Sequence, residues 1–491
     1  MPKQLPHLIR SGAGLITVET AEEAQFLDEL KGVLSELLRP MYRWSITGGL
    51  KRLDMDIPIE SPPAPDSTAV LEFIRNRRER SIFVLLDFIP YLRYASSIRL
   101  LRDIVSHSVA AAHTVVLLSP KIELPDELKS HAQSYSLRRP DEAELALMLR
   151  DEAAHYQREH MGRRVEIDRD AWRPLIRTML GLSLSDARKV ARAVIFNDGT
   201  ICSADIAEAA RQKFKLLNAG GVLNLELDAP RFADVAGLKR LKRWVEQRKA
   251  AFRGEATLIK LDPPRGVLLL GVQGCGKSLA AKAIAAGFGV PLLRLDFGAL
   301  YNKFHGETER NLRDSLSQAE AMAPCVLWCD EVEKGLSSSG SDDGVSQRVL
   351  GTFLTWMAER KHAIFMVATA NQIEHLPPEL LRKGRFDEIF FVDLPDVAAR
   401  QAIIEIHLRK RELPLDQFEI TPIVEASAGF SGAEIEQAVI SALYAANAEG
   451  VEPRTRHILE EIANTRPLSI VMAEKVAKLR AWAAERCVPA D

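Results

Sequence analysis

A glycine-rich segment, residues 271–278, has the residue types and the spacing that bind the phosphates of a nucleotide. It fits the pattern G-x-x-x-x-G-K-[ST] and stands between an apolar run and a helical pattern, as a phosphate loop requires. Glycines let backbone N–H groups wrap around phosphates, and the amino end of the following helix adds favourable partial charge. We expect Lys277 to reach the β- and γ-phosphates and the Ser278 hydroxyl to ligate Mg²⁺. The candidate ATP-binding residues here are Gly271, Val272, Gln273, Gly274, Cys275, Gly276, Lys277, Ser278 and Leu279.

Two acids, Asp330 and Glu331, end a later apolar run at residues 325–329. We expect Asp330 to hold Mg²⁺ through its water shell and Glu331 to polarise the water that attacks the γ-phosphate. Acids at the end of a strand are often only solvated loop residues. Their order after the phosphate loop, beyond one intervening strand, favours the catalytic interpretation. The same order argues against a purely structural glycine turn at residues 271–278.

Polar residues also follow the next apolar run. Asn371 stands at its end, where it could orient the attacking water beside Glu331, although an isolated Asn would simply indicate a turn. Arg382 and Arg385 follow on a loop, and an arginine can stabilise a transferring phosphoryl group, often from a neighbouring subunit. The alternative is an ordinary basic surface cluster, but the order after Asn371 favours a role in trans for Arg382. The candidate catalytic residues are Lys277, Glu331, Asn371, Arg382 and Arg385, and the candidate metal ligands are Ser278 and Asp330.

The elements that must position these residues alternate between short apolar runs and helical patterns. In the second half of the chain the runs lie at residues 266–270, 291–295, 325–329 and 363–368. Such runs, bounded by turn signals, are typical of parallel strands that are buried on both faces. The sequence therefore predicts an α/β fold with a parallel sheet, followed by an all-helical segment.

The first half of the chain shows the same alternation of apolar runs and helical patterns. Its apolar runs lie at residues 15–18, 41–46, 82–86 and 114–118. Residues 122–128 resemble 373–380, and residues 181–186 resemble 429–434, in the same order and at similar spacing. Chance similarity of two short motifs is the alternative, but the matching order favours duplication of one α/β module.

The first copy lacks the residues that would bind and hydrolyse a nucleotide. Its first apolar run is followed by Thr-Ala-Glu-Glu at residues 20–23, without glycine or lysine. Asp87 remains at the end of a later run, but Phe88 stands where the second copy has Glu331. We predict a degenerate module that serves assembly or binds a partner.

Together these motifs make residues 232–430 resemble the AAA domain of the AAA+ ATPase superfamily, AAA clade. The resemblance implies a P-loop NTPase-type parallel sheet sandwiched by helices, with an all-helical lid, preceded by a degenerate AAA-like module. Residues 303–307 match the first pore loop of the family, in which Phe304 would grip a protein substrate. The residues that the resemblance implies for the base, the lid and the second sensor are Asp234, Val235, Ala236, His407, Gly432 and Ala433.

Nearly the whole chain is similar to AAA proteins of the hypothetical chloroplast open reading frame forty-six type. The similarity rests on residues 330–334, 337–344 and 348–357 and, in the first half, on 84–88 and 118–120. The resemblance to the superfamily implies a homo-oligomer, a hexameric ring, that hydrolyses ATP with Mg²⁺ and remodels or threads a protein. The alternative is a regulatory switch whose degenerate half binds a partner according to the nucleotide state.

Charge and cysteine content narrow the remaining classes of function. The chain has 65 Lys and Arg residues against 67 Asp and Glu, which gives no case for nucleic acid or an anionic membrane as partner. Its apolar runs are too short to span a bilayer, and the amino-terminal sequence does not resemble a secretory signal. Five scattered cysteines favour a reducing compartment, with Cys325 and Cys329 as buried thiols rather than a zinc site. We therefore expect a cytoplasmic protein.

The length of 491 residues suggests about three domains. We expect a degenerate AAA-like module at residues 1–217, a linker at 218–230 and the α/β ATPase domain at 231–394. Residues 395–491 are expected to form the helical lid and a terminal helix.

Overall fold

Two sheets, each covered on both faces, organise the chain. The structure is a computed structural model that describes residues 5–33, 39–55, 59, 63–106, 113–217, 222–226, 232–255, 259, 261–301, 308–336, 343–382 and 384–491. The chain divides into two units, Met1–Arg139 and Pro140–Asp491. The α/β class predicted from the alternating runs is confirmed.

The first unit contains a six-stranded sheet in the order β3-β2-β4-β5-β1-β6, and among its described strands only β3 is antiparallel. Strands β4 and β5 are buried along their whole length because an apolar core lies on each face of the sheet. The strands are β1 (Leu15–Glu19), β2 (Met41–Ser45), β3 (Gly49–Arg52), β4 (Ile82–Leu86), β5 (Thr114–Ser119) and β6 (Ala132–Tyr135). The helices are α1 (Leu5–Arg10), α2 (Glu23–Gly32), α3 (Ser67–Asn76), α4 (Ala95–Ser106) and α5 (Asp126–Lys129).

The second unit begins with a helical segment that carries a small two-stranded sheet of β7 and β8. This segment consists of α6 (Glu142–Glu159), β7 (Glu166–Ile167), α7 (Arg169–Met179), α8 (Leu184–Asp198), β8 (Thr200–Ile201) and α9 (Ser203–Leu217).

No helix in the described part of the chain is both long and apolar enough to cross a membrane.

A seven-stranded sheet in the order β15-β14-β10-β13-β12-β11-β9 follows, and among its described strands only β9 is antiparallel. The strands are β9 (Leu223–Glu226), β10 (Gly266–Gly271), β11 (Leu292–Leu295), β12 (Cys325–Cys329), β13 (Ile364–Ala370), β14 (Glu388–Val392) and β15 (Val488–Pro489). The helices up to β14 are α10 (Lys239–Phe252), α11 (Lys277–Phe288), α12 (Phe297–Tyr301), α13 (Thr308–Met322), α14 (Val332–Leu336) and α15 (Asp343–Glu359). The later helices are α16 (Val397–Arg409), α17 (Ile420–Ala426), α18 (Gly432–Glu449), α19 (Thr455–Asn464), α20 (Leu468–Val471) and α21 (Ala473–Ala484).

Five parallel strands follow the same order in both sheets, β6-β1-β5-β4-β2 in the first and β14-β10-β13-β12-β11 in the second. The ladders of β4 with β5 and of β12 with β13 place Asp87 and Asp330 at equivalent positions. Asp87 accepts a hydrogen bond from Ser119 Oγ at 3.0 Å, and Asp330 accepts one from Thr369 Oγ1 at 2.6 Å. The shared order and the shared contact both agree with duplication of one module.

The backbones of the two copies diverge in the turn that follows this strand. The backbone enters the left-handed region at Asp87 in the first copy, with φ 49°, but one position later, at Glu331, with φ 48°, in the second. Phe88 then turns into the core, where it is fully buried with its ring centroid 5.4 Å from that of Trp44. The residue that would have to polarise a water in the first copy is therefore committed to packing.

Helix α9 attaches the helical segment to the large sheet of the second unit. Phe214 and Leu217 pack against the apolar core of that sheet. The buried amine of Lys213 donates to the carbonyl of Leu180 at 2.6 Å, and burial lowers the pKa of this amine to about 8. The structure therefore draws the boundary after Arg139 and not after residue 217, because α9 shares its buried surface with the large sheet.

Two other predicted segments contain strands of the large sheet. The predicted linker at 218–230 contains β9, whose Leu223 is buried and pairs with β11 at the edge of the sheet. The segment at 395–491, for which we expect a lid and a terminal helix, contains the helix α21, whose Val476 and Leu479 pack into the core of the sheet, and β15, which extends the sheet. Helices α16 to α19 share a separate apolar core and form the lid itself.

We expect residues 140–491 to unfold at a higher temperature than residues 222–491. Removal of α6 to α9 uncovers the apolar surface under Phe214 and Leu217, which we expect to cost roughly 2 kcal/mol or more, about 5 °C. Thermal unfolding followed by circular dichroism compares the two chains. Equal unfolding temperatures would show that α9 contributes nothing to the sheet.

Candidate active site

A cavity of about 940 Å³ lies at the carboxyl ends of β10, β12 and β13, between the large sheet and the lid. Parallel strands present their carboxyl ends at one edge, which is where ligands bind in such sheets. The sequence-predicted residues that line this cavity are Asp234, Val235, Ala236, Gln273, Gly274, Cys275, Gly276, Lys277, Ser278, Leu279, Asp330, Glu331, Asn371, His407, Gly432 and Ala433. Gly271, Val272, Arg382 and Arg385 do not line it.

The phosphate loop connects β10 directly to α11. Gly276 takes the left-handed conformation at the start of α11, with φ 86°, which a side chain would strain. A Cβ at Gly271 would lie 2.0 Å from the carbonyl oxygen of Val392, so this position must also be glycine for β10 and β14 to pair. The loop therefore presents bare backbone to the cavity at the amino end of a helix, where anions bind.

The amine of Lys277 is buried inside this loop. It donates to the carbonyl oxygens of Gly271 at 2.9 Å and Val272 at 2.7 Å, which explains why these two residues matter without lining the cavity. Burial lowers the pKa of Lys277 to about 8. A phosphate group in the cavity would add negative charge beside this amine.

A buried hydroxyl, that of Thr369, joins the two acids to the neighbouring strand. It donates to Asp330 Oδ1 at 2.6 Å and accepts the backbone N–H of Glu331 at 3.0 Å. The other oxygen of Asp330 lies 3.3 Å from the guanidinium of Arg294. The left-handed backbone of Glu331 is the kind of strain that the surrounding contacts must hold in place.

The carboxylate of Glu331 is held on both oxygens. Asn371 Nδ2 donates to its Oε1 at 3.0 Å, and Lys334 Nζ donates to its Oε2 at 2.5 Å. Glu333 in turn accepts the backbone N–H of Asn371 at 2.8 Å, and burial raises the pKa of Glu333. Asn371 thus lies beside Glu331, as the sequence predicts, and the hydrogen bond that Glu333 accepts holds the backbone of Asn371 in place.

The sequence analysis did not identify four residues of the site, which are Thr369, Glu333, Lys334 and Arg294. Glu333 and Lys334 stand inside the segment 330–334 named above, and Thr369 stands two residues before Asn371, so their position was the available signal. A Thr in an otherwise apolar buried strand and an acid on the turn after Glu331 could have been questioned as unusual. Arg294 lies on β11 and carries no such signal.

The lid closes the cavity by docking on the phosphate loop. The backbone N–H of Ala433, at the start of α18, donates to the carbonyl of Gly274 at 3.1 Å. Ser431, the N-cap residue, forms a capping box with Glu434, and this box fixes the start of α18. His407 lines the same side, 3.4 Å from Glu436, and burial lowers the pKa of His407.

The two candidate arginines lie away from the cavity of their own chain. Arg382 is exposed, whereas Arg385 donates to the carbonyl of Leu354 on α15. Phe304 and the rest of the predicted pore loop, 303–307, lie outside the described residues.

The donor set of the cavity fits Mg²⁺ together with a nucleotide. Mg²⁺ prefers oxygen ligands, keeps several waters and usually takes one or two carboxylates plus substrate phosphates. The Ser278 hydroxyl and the Asp330 carboxylate line the same cavity as the phosphate loop. These two residues could therefore hold the ion against the phosphates of ATP.

Comparison with known families gives three matches. Residues 267–394 match the ATPase family associated with various cellular activities (AAA). Residues 1–137 match the SpoVK-like AAA ATPase N-terminal domain, and residues 143–220 match the SpoVK-like AAA ATPase second domain. The last two ranges meet close to the structural boundary after Arg139.

Several relatives cover nearly the whole chain. The AAA domain-containing protein ycf46 of Pyropia yezoensis is 34% identical over 97% of this chain and 96% of its own length. The protein of the same name from Guillardia theta is 32% identical over 98% of this chain and 94% of its own length.

Other relatives match only part of the chain. The ATP-dependent zinc metalloprotease FtsH of Aquifex aeolicus is 32% identical over 47% of this chain and 38% of its own length.

We expect ATP binding to take up a proton at mildly alkaline pH. Burial lowers the pKa of Lys277 to about 8, and bound phosphates would raise it again, so affinity falls as the pH rises above about 8. Calorimetry at pH 8.5 in two buffers of different ionisation enthalpy should report uptake of roughly 0.75 of a proton. Lys277→Arg, whose side chain stays charged, is the control, and a binding heat independent of buffer for the parent chain would contradict this linkage.

We expect Glu331→Gln to bind ATP and to lose turnover by about a hundredfold or more, because the amide cannot polarise the attacking water. Lys277→Ala should instead lose affinity for ATP, because it removes charge from the bound ground state. Glu374→Gln removes an exposed acid three residues after Asn371 and should change neither property. Steady-state hydrolysis and equilibrium binding separate the three outcomes, and normal turnover of Glu331→Gln would remove this residue from the reaction.

Proposed function

Because the chain belongs to the AAA ATPase family, and is therefore an ATPase, we propose that it forms a ring, a hexamer, that remodels or threads a protein partner. The similarity to AAA proteins of the chloroplast open reading frame forty-six (ycf46) type, inferred above from motifs, is confirmed by the ycf46 relatives that cover nearly the whole chain. The observation that carries the proposal is the meeting of phosphate loop, acids and Asn371 in one cavity.

The proposed chemistry assigns one task to each group. Backbone N–H groups of the phosphate loop and the Lys277 amine bind the phosphates, and Ser278 and Asp330 would hold Mg²⁺, which would neutralise developing charge. Glu331 polarises the attacking water, and Asn371 orients that carboxylate through the 3.0 Å contact. Lys334 must release Glu331, at least in part, because a carboxylate that is paired on both oxygens is a poor base.

The placement of Arg382 supports assembly into a ring. This arginine is exposed and lies outside the cavity of its own chain, so it can act on a phosphoryl group only in another subunit. Arg385 is partly buried and holds the carbonyl of Leu354, which suits a role in supporting this loop. The pore loop with Phe304 is proposed to grip the substrate, on the strength of the family resemblance.

Polypeptide is the substrate class that we propose. The Aquifex relative is named as an ATP-dependent protease, and it is 32% identical to this chain over 47% of this chain's length. The balance of 65 basic against 67 acidic residues supports a protein rather than a nucleic acid as substrate.

All five cysteines are free, which supports a reducing, cytoplasmic setting.

The second candidate function is a regulatory switch. The observation in its favour is the first unit, whose sheet repeats the ATPase order while Phe88 occupies the core at the catalytic position. Such a unit could dock a partner when the second unit holds ATP. Stimulation of hydrolysis by an unfolded protein favours remodelling, whereas saturable binding of one partner in ATP but not in ADP favours the switch.

We expect hydrolysis to require neighbouring subunits. Activity per chain should rise with protein concentration, and Arg382→Ala should bind ATP but hydrolyse it slowly because the transition state lacks its arginine. Mixing Arg382→Ala with Lys277→Ala should restore part of the activity, since each supplies what the other lacks at a mixed interface. Either variant alone at the same total concentration is the control. Wild-type turnover by Arg382→Ala, or activity per chain that stays constant down to monomer concentrations, would overturn the assignment.

A further inference from the structure

The strand β15 and the two residues after it run beside the cavity, between β14 and the start of α10. β15 extends the large sheet by pairing parallel to β14. The backbone N–H of Ala490 donates to the carbonyl of Phe391 at 2.9 Å, which continues this pairing to the cavity edge. Asp491 itself lines the cavity.

These two residues cap helix α10. The carbonyl of Ala490 accepts the N–H groups of Arg240 at 3.0 Å and Leu241 at 3.1 Å, and Asp491 Oδ1 accepts that of Lys239 at 3.3 Å. The residue that precedes the helix, Leu238, supplies no side-chain cap. A carboxylate at the amino end of a helix also interacts favourably with its dipole.

Helix α10 is in turn joined to Asp234, Val235 and Ala236, the residues that were predicted to contact the base. Residues 234–238 lead directly into α10, and all of them line the cavity. Lys242 Nζ donates to the carbonyl of Val235 at 2.5 Å. Gly237 approaches so closely that a Cβ there would lie 3.0 Å from Asp491 Oδ2. The position of Asp491 therefore bears directly on residues 234–238.

A second contact joins α21, the helix that precedes β15, to the edge of the cavity. The guanidinium of Arg480, on α21, donates through Nε to both oxygens of Asp393, at 3.0 and 2.9 Å. Asp393 follows β14 and lines the cavity. α21 cannot shift freely, because Val476 and Leu479 are packed into the sheet core.

We propose that Asp491 is a positioning residue for nucleotide binding, which sets the base wall of the cavity at residues 234–238 through its cap on α10. This rests on the proposed function, because it takes the cavity to be the ATP site. Asp491 acts on the base side, so it affects recognition of the base and leaves the phosphate loop unchanged.

The test compares ATP with inorganic tripolyphosphate, which carries phosphates but no base, on the full chain. Asp491→Ala should raise the dissociation constant and the KM for ATP about three- to tenfold, with kcat and tripolyphosphate affinity unchanged. Asp491→Asn keeps an acceptor oxygen for the Lys239 N–H and should bind ATP nearly as well as the parent. Glu485→Ala, which removes an exposed acid of the same segment, is the matched control. Deletion of residues 488–491 should weaken ATP binding further.

Three outcomes would overturn the inference. The first is unchanged ATP affinity of Asp491→Ala, and the second is equal loss of ATP and tripolyphosphate binding, which would indicate damage to the whole cavity. The third is a fall in kcat without a rise in KM. A parent chain that bound tripolyphosphate but not ATP would instead overturn the proposed function, so the two failures are distinguishable. If the deletion unfolds the chain, the Asp491→Ala and Asp491→Asn pair still decides the matter.

Discussion

The site depends on one buried hydroxyl that holds two acids on a strained turn. Thr369 binds Asp330 through its hydrogen and the backbone of Glu331 through its oxygen, so β12 and β13 end at a fixed distance from each other. Charges in such a cavity are costly unless they are paired. Arg294 and Lys334 meet this requirement for the two acids, and the loop carbonyls meet it for Lys277. The cavity is thus organised around charges that a nucleotide and its metal would contact.

The first unit shows what the same sheet becomes without this constraint. The strand order and even the hydroxyl–carboxylate contact are retained, in Ser119 and Asp87. The turn comes one residue earlier, and the position after Asp87 therefore points into the core instead of the cavity edge. Phe88 fills that space against Trp44, and the sheet is stabilised by packing where the second unit keeps the Glu331 carboxylate at the cavity. A shift of one residue in the turn thus separates a buried packing position from a position at the cavity.

The walls of the cavity come from parts of the chain that are far apart in sequence. The lid reaches the phosphate loop through the N–H of Ala433, and the segment after α21 reaches the base wall through Asp491. The helical segment before the large sheet belongs to the same unit, because α9 shares its buried face with that sheet. The lid and the segment after α21 therefore reach the cavity through direct hydrogen bonds, whereas α9 packs on the core of the sheet.

The sequence by itself determined the α/β class, the apolar runs that form the strands and most of the cavity, because these follow from local patterns. Apolar runs with turn signals mark buried parallel strands, and the phosphate loop needs its glycines, Lys277 and Ser278 in one short segment. The contact of Asn371 with Glu331 was also predictable, since parallel strands bring their carboxyl ends together. Only the tertiary structure decided the roles of Thr369 and Glu333, the pairing of β9 and the cap that Asp491 places on α10. Each of these joins residues that are distant in sequence, and no local spacing or periodicity encodes which distant partner a polar group or an edge strand will meet.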